Sequence, residues 1–451
     1  MTQPTVFVLY GATGDLARRM VLPAFHTLAE AGLLPAKWML VGNGRGDVAH
    51  DEFQRNVHEA LDGKPSRAFL DRLRFAGGGF DNLRPVIEGA HRELGTRAQL
   101  VHYLAIPPVA FPETTQALGD LGLAKGARVV YEKPFGTSPG GFRTLDRLVH
   151  RVLDEDQVYR IDHFLGKEAT QQLHVLRFAN EMFGAMWDRH HIESVQIDVP
   201  ETLDVADRAG FYDATGAVLD MLVTHLFQVA AEVAMEPPAS FAAADLQAAR
   251  EKVIRSFRPL DPAEVVLGQF EGYKDIKGIA SRSRTDTYVA ARLWIDNPRW
   301  RGVPFLLRTG KRLAQSAQQV SLVLRTPDGP FRDLPARGNV LTFSLAGNGE
   351  IDTTLLAKKP GVALGLEPAS VSLPLASLPD AEPLPAYARL IHDVLLGDRS
   401  LFTRPDGLAA AWKVVTPLLE NRPRLIPYPP GSSGPPKARK LAAPHGWLLG
   451  G

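Results

Sequence analysis

A chain of 451 residues, 45% of them hydrophobic and 8% aromatic, can bury a large core, and at roughly 150 residues per domain its length predicts two or three domains. Its 51 Lys and Arg against 50 Asp and Glu leave a formal charge of +1, which excludes the global basic excess of a nucleic-acid binder and the acidic excess of a solvating tail. The absence of cysteine excludes disulfides, thiolate zinc sites, iron–sulfur clusters and a thiol nucleophile. Met1 runs into polar Thr2-Gln3-Pro4, and no window approaches the ~18 unbroken apolar residues of a spanning helix, so a cytoplasmic globular protein with no membrane partner is expected.

Residues 5–10 form a fully buried strand pattern, and 15–31 read as a helix. A second apolar run, 38–41, ends in Gly42; helical stretches follow at 51–61 and 81–94. Residues 101–106 make a further strand, stopped by Pro107-Pro108, before a helix at 112–121 and a strand at 128–131. This alternation predicts a parallel, doubly wound α/β sheet with ligands at the carboxyl ends of its strands. Beyond residue 165 the pattern changes: a helix at 168–180, a strand at 192–199 and a helix at 216–235. Between 289 and 375 alternating segments recur without helices, which predicts a large antiparallel sheet. Helices return at 386–396 and 407–419. The tail, with Pro427, Pro429, Pro430, Gly431, Gly434, Pro435 and Pro436, is expected to be irregular and on the surface. The boundary falls near 160, giving a Rossmann-like dinucleotide-binding domain at 1–160 and an α+β domain at 161–451.

The first strand opens into Gly11-Ala12-Thr13-Gly14-Asp15-Leu16-Ala17 and then a helix. Glycine lets the chain turn tightly and a pyrophosphate approach its N–H groups, while the helix start adds orphan donors and a positive dipole end. The spacing departs from G-x-G-x-x-G, and taken alone it also suits a plain strand–turn–helix. Gly11, Thr13, Gly14, Asp15 and Leu16 are the candidate cofactor residues. After the second strand, Val41-Gly42-Asn43-Gly44-Arg45 offers a guanidinium where NAD-selective sites place a carboxylate. Arg45, with Arg18 and Arg19 nearby, favours NADP and leaves NAD open; a solvated loop arginine is the plainer alternative.

Residues 158–168, Val-Tyr-Arg-Ile-Asp-His-Phe-Leu-Gly-Lys-Glu, and 131–136, Tyr-Glu-Lys-Pro-Phe-Gly, closely resemble the glucose-6-phosphate dehydrogenase family. The similarity continues through Leu176-Arg177-Phe178-Ala179-Asn180, Gly210-Phe211-Tyr212-Asp213, Val303-Pro304-Phe305, Lys358-Lys359-Pro360-Gly361 and Thr416-Pro417-Leu418-Leu419. It implies oxidation of the C1 hydroxyl of glucose-6-phosphate to a lactone, the first step of the oxidative pentose phosphate pathway, by a homodimer or homotetramer. Alcohol oxidation needs a base, and histidine titrates near operating pH. On the helix at 217–235, Asp220, Thr224, Gln228 and Glu232 form a polar stripe at four-residue steps, with His225 beside it. Read alone, His225 suits a core or surface histidine as well as a catalytic one. The resemblance places His225 at the general base and Asp162 at its carboxylate partner. His163 and Lys167, four residues apart, are expected to share a helix face and match phosphate ligands. Lys133, extended before Pro134, matches a lysine touching sugar and dinucleotide. Glu201 and Asp220 match carboxylates on sugar hydroxyls, and Lys311 another substrate lysine.

Departures cluster around the substrate. Phe164 and Ser316 stand where the family commonly has tyrosine and a basic residue. Leu219-Asp220-Met221-Leu222-Val223-Thr224-His225 replaces Arg-Asp-x-x-Gln-Asn-His, and near Leu345-Ala346-Gly347 a glutamine–proline pair is missing. One hydrogen bond lost to a charged phosphate is worth roughly 1.5–3 kcal/mol. The same chemistry on another sugar phosphate, or a non-catalytic dinucleotide-binding regulator, are the alternatives. No metal is implied.

Overall fold

The computed structural model describes residues 3–44, 46, 48–95, 97–205, 208–327, 329, 339–444 and 446–450. Two compact units emerge: Met1–Gly166 with Phe241–Gln247 and Leu384–Pro405, and Lys167–Ser240 with Ala248–Pro383 and Asp406–Gly451.

The first unit holds six parallel strands, β1 (Thr5–Tyr10), β2 (Trp38–Asn43), β3 (Leu73–Ala76), β4 (Gln99–Leu104), β5 (Arg128–Tyr131) and β6 (Val158–Arg160), in the order β3-β2-β1-β4-β5-β6. That is the doubly wound dinucleotide-binding order, with its switch between β1 and β4. Every residue of β1 and β2 is buried, as strands covered on both faces must be. Phe7 of β1 packs on Phe25 of the helix Leu22–Glu30 (ring centroids 5.0 Å), and Phe25 on Trp38 (5.2 Å).

A contiguous split near residue 160 does not describe these units. The late helix Ala386–Leu396 places Leu390, Ile391 and Val394 in the same apolar cluster as Phe7, Phe25 and Leu28. Arg128 then caps its last turn, donating to the carbonyls of Val394 (2.7 Å) and Leu395 (2.8 Å).

The second unit contains nine strands: β7 (Ile192–Pro200), β8 (Val265–Phe270), β9 (Tyr288–Leu293), β10 (Phe305–Gly310), β11 (Gln319–Leu324), β12 (Val340–Ser344), β13 (Glu350–Lys358), β14 (Leu366–Pro374) and β15 (Ile426–Tyr428). Their order is β14-β13-β12-β11-β7-β10-β9-β8-β15. The sheet is mixed rather than purely antiparallel. β7, which precedes the buried helices, pairs parallel with β10, and β15 pairs parallel with β8; the other neighbours run antiparallel. The helical run Ala209–Ala234 is the one among the described residues long and apolar enough to cross a membrane, but its apolar window is 89% buried, which makes it a core helix.

The tail is not merely surface coil. Its backbone is irregular, yet its aromatic side chains are core: Tyr428 and Trp447 lie in one cluster with Phe270, Tyr273 and Tyr288. A large apolar ring outweighs a Pro/Gly-rich backbone in deciding burial.

Candidate active site

In the first unit, β1 ends at Tyr10 and the chain turns at Gly11, whose φ is +68°. A Cβ there would collide with the Ala105 carbonyl oxygen, so only glycine fits. Gly14 N–H donates to Gly11 O (2.8 Å) and Arg18 N–H to Gly14 O (3.0 Å), which starts the helix on the heels of the turn. Gly11, Thr13 and Gly14 line a cleft of about 680 Å³ at the carboxyl ends of β1, β2 and β4. Asp15 and Leu16 are not part of its lining; Asp15 is exposed and pairs with Arg19 at 2.8 Å. Arg45 lies outside the described residues. Sequence reasoning missed Asn43, the buried last residue of β2. Its amide donates to the carbonyls of Ala76 (2.9 Å) and Gly79 (2.6 Å) and holds the glycine loop that forms the opposite wall. The signal was the run Gly77-Gly78-Gly79, of which Gly78 and Gly79 both take φ +72°.

At the end of β5, Glu132 is buried and accepts from the Tyr103 hydroxyl at 2.6 Å. Burial pushes its carboxyl above the usual range, against the opposing pull of Tyr103 and of neighbouring Lys133. Lys133 is half-buried, and its bond to Pro134 is cis. Asp162 is 2% exposed; its Oδ1 accepts Phe164 N–H (2.9 Å) and its carbonyl Leu165 N–H (3.1 Å), closing a tight turn. The His163 ring lies nearly parallel to Tyr387 (17°, centroids 6.0 Å apart), a residue of the late helix. The expected helix face shared by His163 and Lys167 is not formed. Residues 163–166 are a turn, and the helix Glu168–Ala179 begins only after Lys167, its N-cap. Gly166, in that turn, approaches the late helix so closely that a Cβ would stand 2.9 Å from Ala386 O.

In the second unit, the Lys167 ammonium donates to Leu345 O at 2.9 Å, and burial lowers its pKa. Glu201 and Lys311 form an ion pair, tied also by Glu201 N–H to Gly310 O (2.9 Å); the Lys311 Nζ sits 5.7 Å from the Tyr212 ring centroid. Ser316 is engaged locally: its hydroxyl accepts Thr202 N–H at 2.9 Å, beside Glu201.

The helix bearing Asp220 and His225 departs from regular four-residue steps. Over Val218–Leu226 its hydrogen bonds close five residues apart instead of four, a wide turn that often marks functional sites. The five-residue spacing brings Asp220 and His225 to one side of the helix, and Thr224 folds its hydroxyl onto Asp220 O (2.6 Å). Both Asp220 (7% exposed) and His225 (0%) are buried. The expected stripe also divides. Glu232, 2% exposed, pairs with Arg250 and, at 3.1 Å, His174. Burial would raise its carboxyl, yet Arg250 and His174 outweigh that and hold it down at about 2.

Residues 8–172 match the NAD-binding domain of glucose-6-phosphate dehydrogenase, and residues 174–448 match its C-terminal domain. The chain belongs to the glucose-6-phosphate dehydrogenase family, a family of oxidoreductases. Glucose-6-phosphate 1-dehydrogenase 2 of Mycobacterium bovis is 37% identical over 93% of this chain and 88% of its own length. The Aggregatibacter actinomycetemcomitans enzyme is 34% identical over 97% and 96%. The crystal structure of the Mycobacterium avium enzyme superposes with a TM-score of 0.89 at 34% identity, covering 100% of this chain and 99% of its own. A glucose-6-phosphate dehydrogenase in complex with glucose-6-phosphate gives 0.91 at 29% identity with the same coverage. A 3-ketoreductase from Actinomadura kijaniata shares only the fold, at 0.53 and 14%.

Proposed function

We propose that the protein oxidises the C1 hydroxyl of glucose-6-phosphate to 6-phosphoglucono-1,5-lactone, with NADP as hydride acceptor. One observation carries the reading: a wide-turned, buried helix presents a carboxylate and an imidazole, Asp220 and His225, in a chain that matches one sugar-phosphate dehydrogenase family along nearly its whole length.

His225 takes the proton from the C1 hydroxyl, and Asp162 is the carboxylate that stabilises the imidazolium. Glu201 and Asp220 accept from sugar hydroxyls, and Lys311 donates to the sugar. His163 and Lys167 bind the phosphate, while Lys133 serves sugar and nucleotide. The turn at Gly11, Thr13 and Gly14, which at Gly11 leaves no room for a Cβ, suits a pyrophosphate. When bound there, NADP supplies the pyridinium that accepts the hydride. NADP rather than NAD is favoured because β2 ends in Asn43 instead of a carboxylate, with its amide engaged by Ala76 and Gly79, and because Arg45 follows. Phe164, 1% exposed, brings no hydroxyl to the phosphate, so a weaker KM than that of a tyrosine-bearing relative is expected. The same reading carries a cytoplasmic homo-oligomer, for which β14 and its neighbour β13 offer exposed Leu355, Val371 and Leu373 to a second copy.

The test is spectrophotometric: protein, NADP or NAD, and individual hexose phosphates are mixed and reduced nicotinamide is followed. Glucose-6-phosphate with NADP is expected to give the fastest reduction. Negligible reduction with that pair would overturn the proposal, and faster reduction with another hexose phosphate would transfer it to that substrate.

A further inference from the structure

The helix bearing Asp220 and His225 begins at a break that one carboxylate completes. At Gly216 the backbone takes φ +66°, and a Cβ there would stand 2.7 Å from Oδ1 of Asp286. The next two N–H groups, of Ala217 and Val218, are the orphan donors of a helix start. Both go to Asp286: Ala217 N–H to its carbonyl and Val218 N–H to its Oδ2, each at 2.8 Å. Asp286 is 0% exposed, and its Oδ1 is ion-paired with Arg422 from the segment after the helix Pro405–Glu420. The adjacent residue, Thr287, accepts Lys311 N–H on its carbonyl at 2.9 Å. The Tyr428 hydroxyl lies 2.7 Å from Lys311 O and 3.1 Å from Thr287 O. Two consecutive residues therefore hold the helix that bears Asp220 and His225 and the strand end that bears Lys311.

We propose that Asp286, neutralised by Arg422, is a positioning residue for proton abstraction by His225. Its cap lies two residues ahead of Asp220, at the first residue of the wide turn Val218–Leu226. That turn is a rarer geometry than the ordinary helical one, and Asp286 anchors its first residue. Released from Asp286, the segment regains the four-residue pitch and rotates His225 away from Asp220. A carboxylate is suited to the task because it accepts the orphan N–H and meets the positive end of the helix dipole.

The inference rests on His225 as the base, so the test reads position separately from turnover. Wild type is compared with Asp286→Asn, Asp286→Ala and Arg422→Gln. With glucose-6-phosphate, kcat is expected to fall about tenfold in Asp286→Asn and Arg422→Gln and about 100-fold in Asp286→Ala, as small misplacements of reacting groups do. The KM for NADP should stay within about twofold of wild type. Amide hydrogen exchange should rise at residues 217–226 while β7 keeps its protection. Unchanged kcat in folded Asp286→Ala, or in Arg422→Gln if that variant does not fold, overturns the inference. So does a loss of protection spread evenly over the second unit, which marks general destabilisation. If wild type itself fails to turn over glucose-6-phosphate, the proposed function falls, and exchange alone decides: unchanged protection at 217–226 in the variants then sinks the positioning role.

Discussion

At the nucleotide cleft glycines stand on both walls, Gly11 and Gly14 on one side, Gly44, Gly78 and Gly79 on the other, with Asn43 bracing the second wall. Around the helix that bears His225 the polar groups are side-chain charges, buried Asp286 with the exposed Arg422 at its start and buried Glu232 with Arg250 and His174 near its end. The two regions therefore fail differently. The glycine turn is intolerant of one added carbon, whereas the charge-held helix depends also on each partner's protonation. Two buried glutamates sharpen the contrast. Glu132, in the first unit, is raised by burial that Tyr103 and Lys133 only partly oppose, while Glu232, in the second, is brought down by its arginine and histidine.

The largest effect is expected at the proposed base. His225→Asn should lower kcat by about 10³-fold and leave the dissociation constant for glucose-6-phosphate within about threefold, as steady-state kinetics with equilibrium binding will measure. A variant with near-normal turnover would remove the functional half of the comparison.

Next is Glu232→Gln, which leaves the Arg250 charge buried without its carboxylate and should destabilise the protein by about 3–5 kcal/mol in denaturant unfolding. Because the folded-state pKa of Glu232 lies at about 2, below its unfolded value, its contribution is complete above about pH 4.5 and disappears as pH falls through about 2. The gap between wild type and variant should therefore close on acidification, and a gap that is constant with pH would contradict the charge-held picture.

Gly11→Ala comes third. Positive φ and the contact with Ala105 O predict a loss of about 1–3 kcal/mol in stability. NADP binding by calorimetry should weaken by at least about tenfold, with neither loss varying over neutral pH. Unaltered NADP affinity would show that the turn is not the cradle.

Glu132→Gln should have the smallest effect, opposite in sign. A carboxyl whose folded-state pKa is raised contributes stability below its unfolded pKa and loses it as pH rises through the folded one. The variant should match wild type near pH 4 and exceed it slightly near pH 7. A variant less stable at neutral pH would place Glu132 with Glu232 and erase the contrast.

Much of the fold was legible in the chain. β1 and β5 occupy 5–10 and 128–131 as read, and the helix at 386–396 has its expected bounds, because a buried run between turn residues is a local property. The tail misled because proline and glycine describe its backbone, whereas Tyr428 and Trp447 are placed by rings distant in sequence. At the candidate site, the Gly11 turn was legible from its spacing. The shared face of His163 and Lys167 was not, since a four-residue spacing gives a common face only inside a helix and residues 163–166 form a turn ahead of it.

The alternation of strands and helices, the glycine turn and the family can be read along the chain, because each is written in contiguous residues or in ordered motifs. The wide turn in the helix at 217–234, the splitting of its stripe between Asp220 with His225 and the buried Glu232, and the cap that Asp286 gives its start appear only once the chain is folded. The physical reason is that a buried charge takes its role from its partners. Those partners, Arg250 for Glu232 and Arg422 for Asp286, come from other elements that no local periodicity brings together.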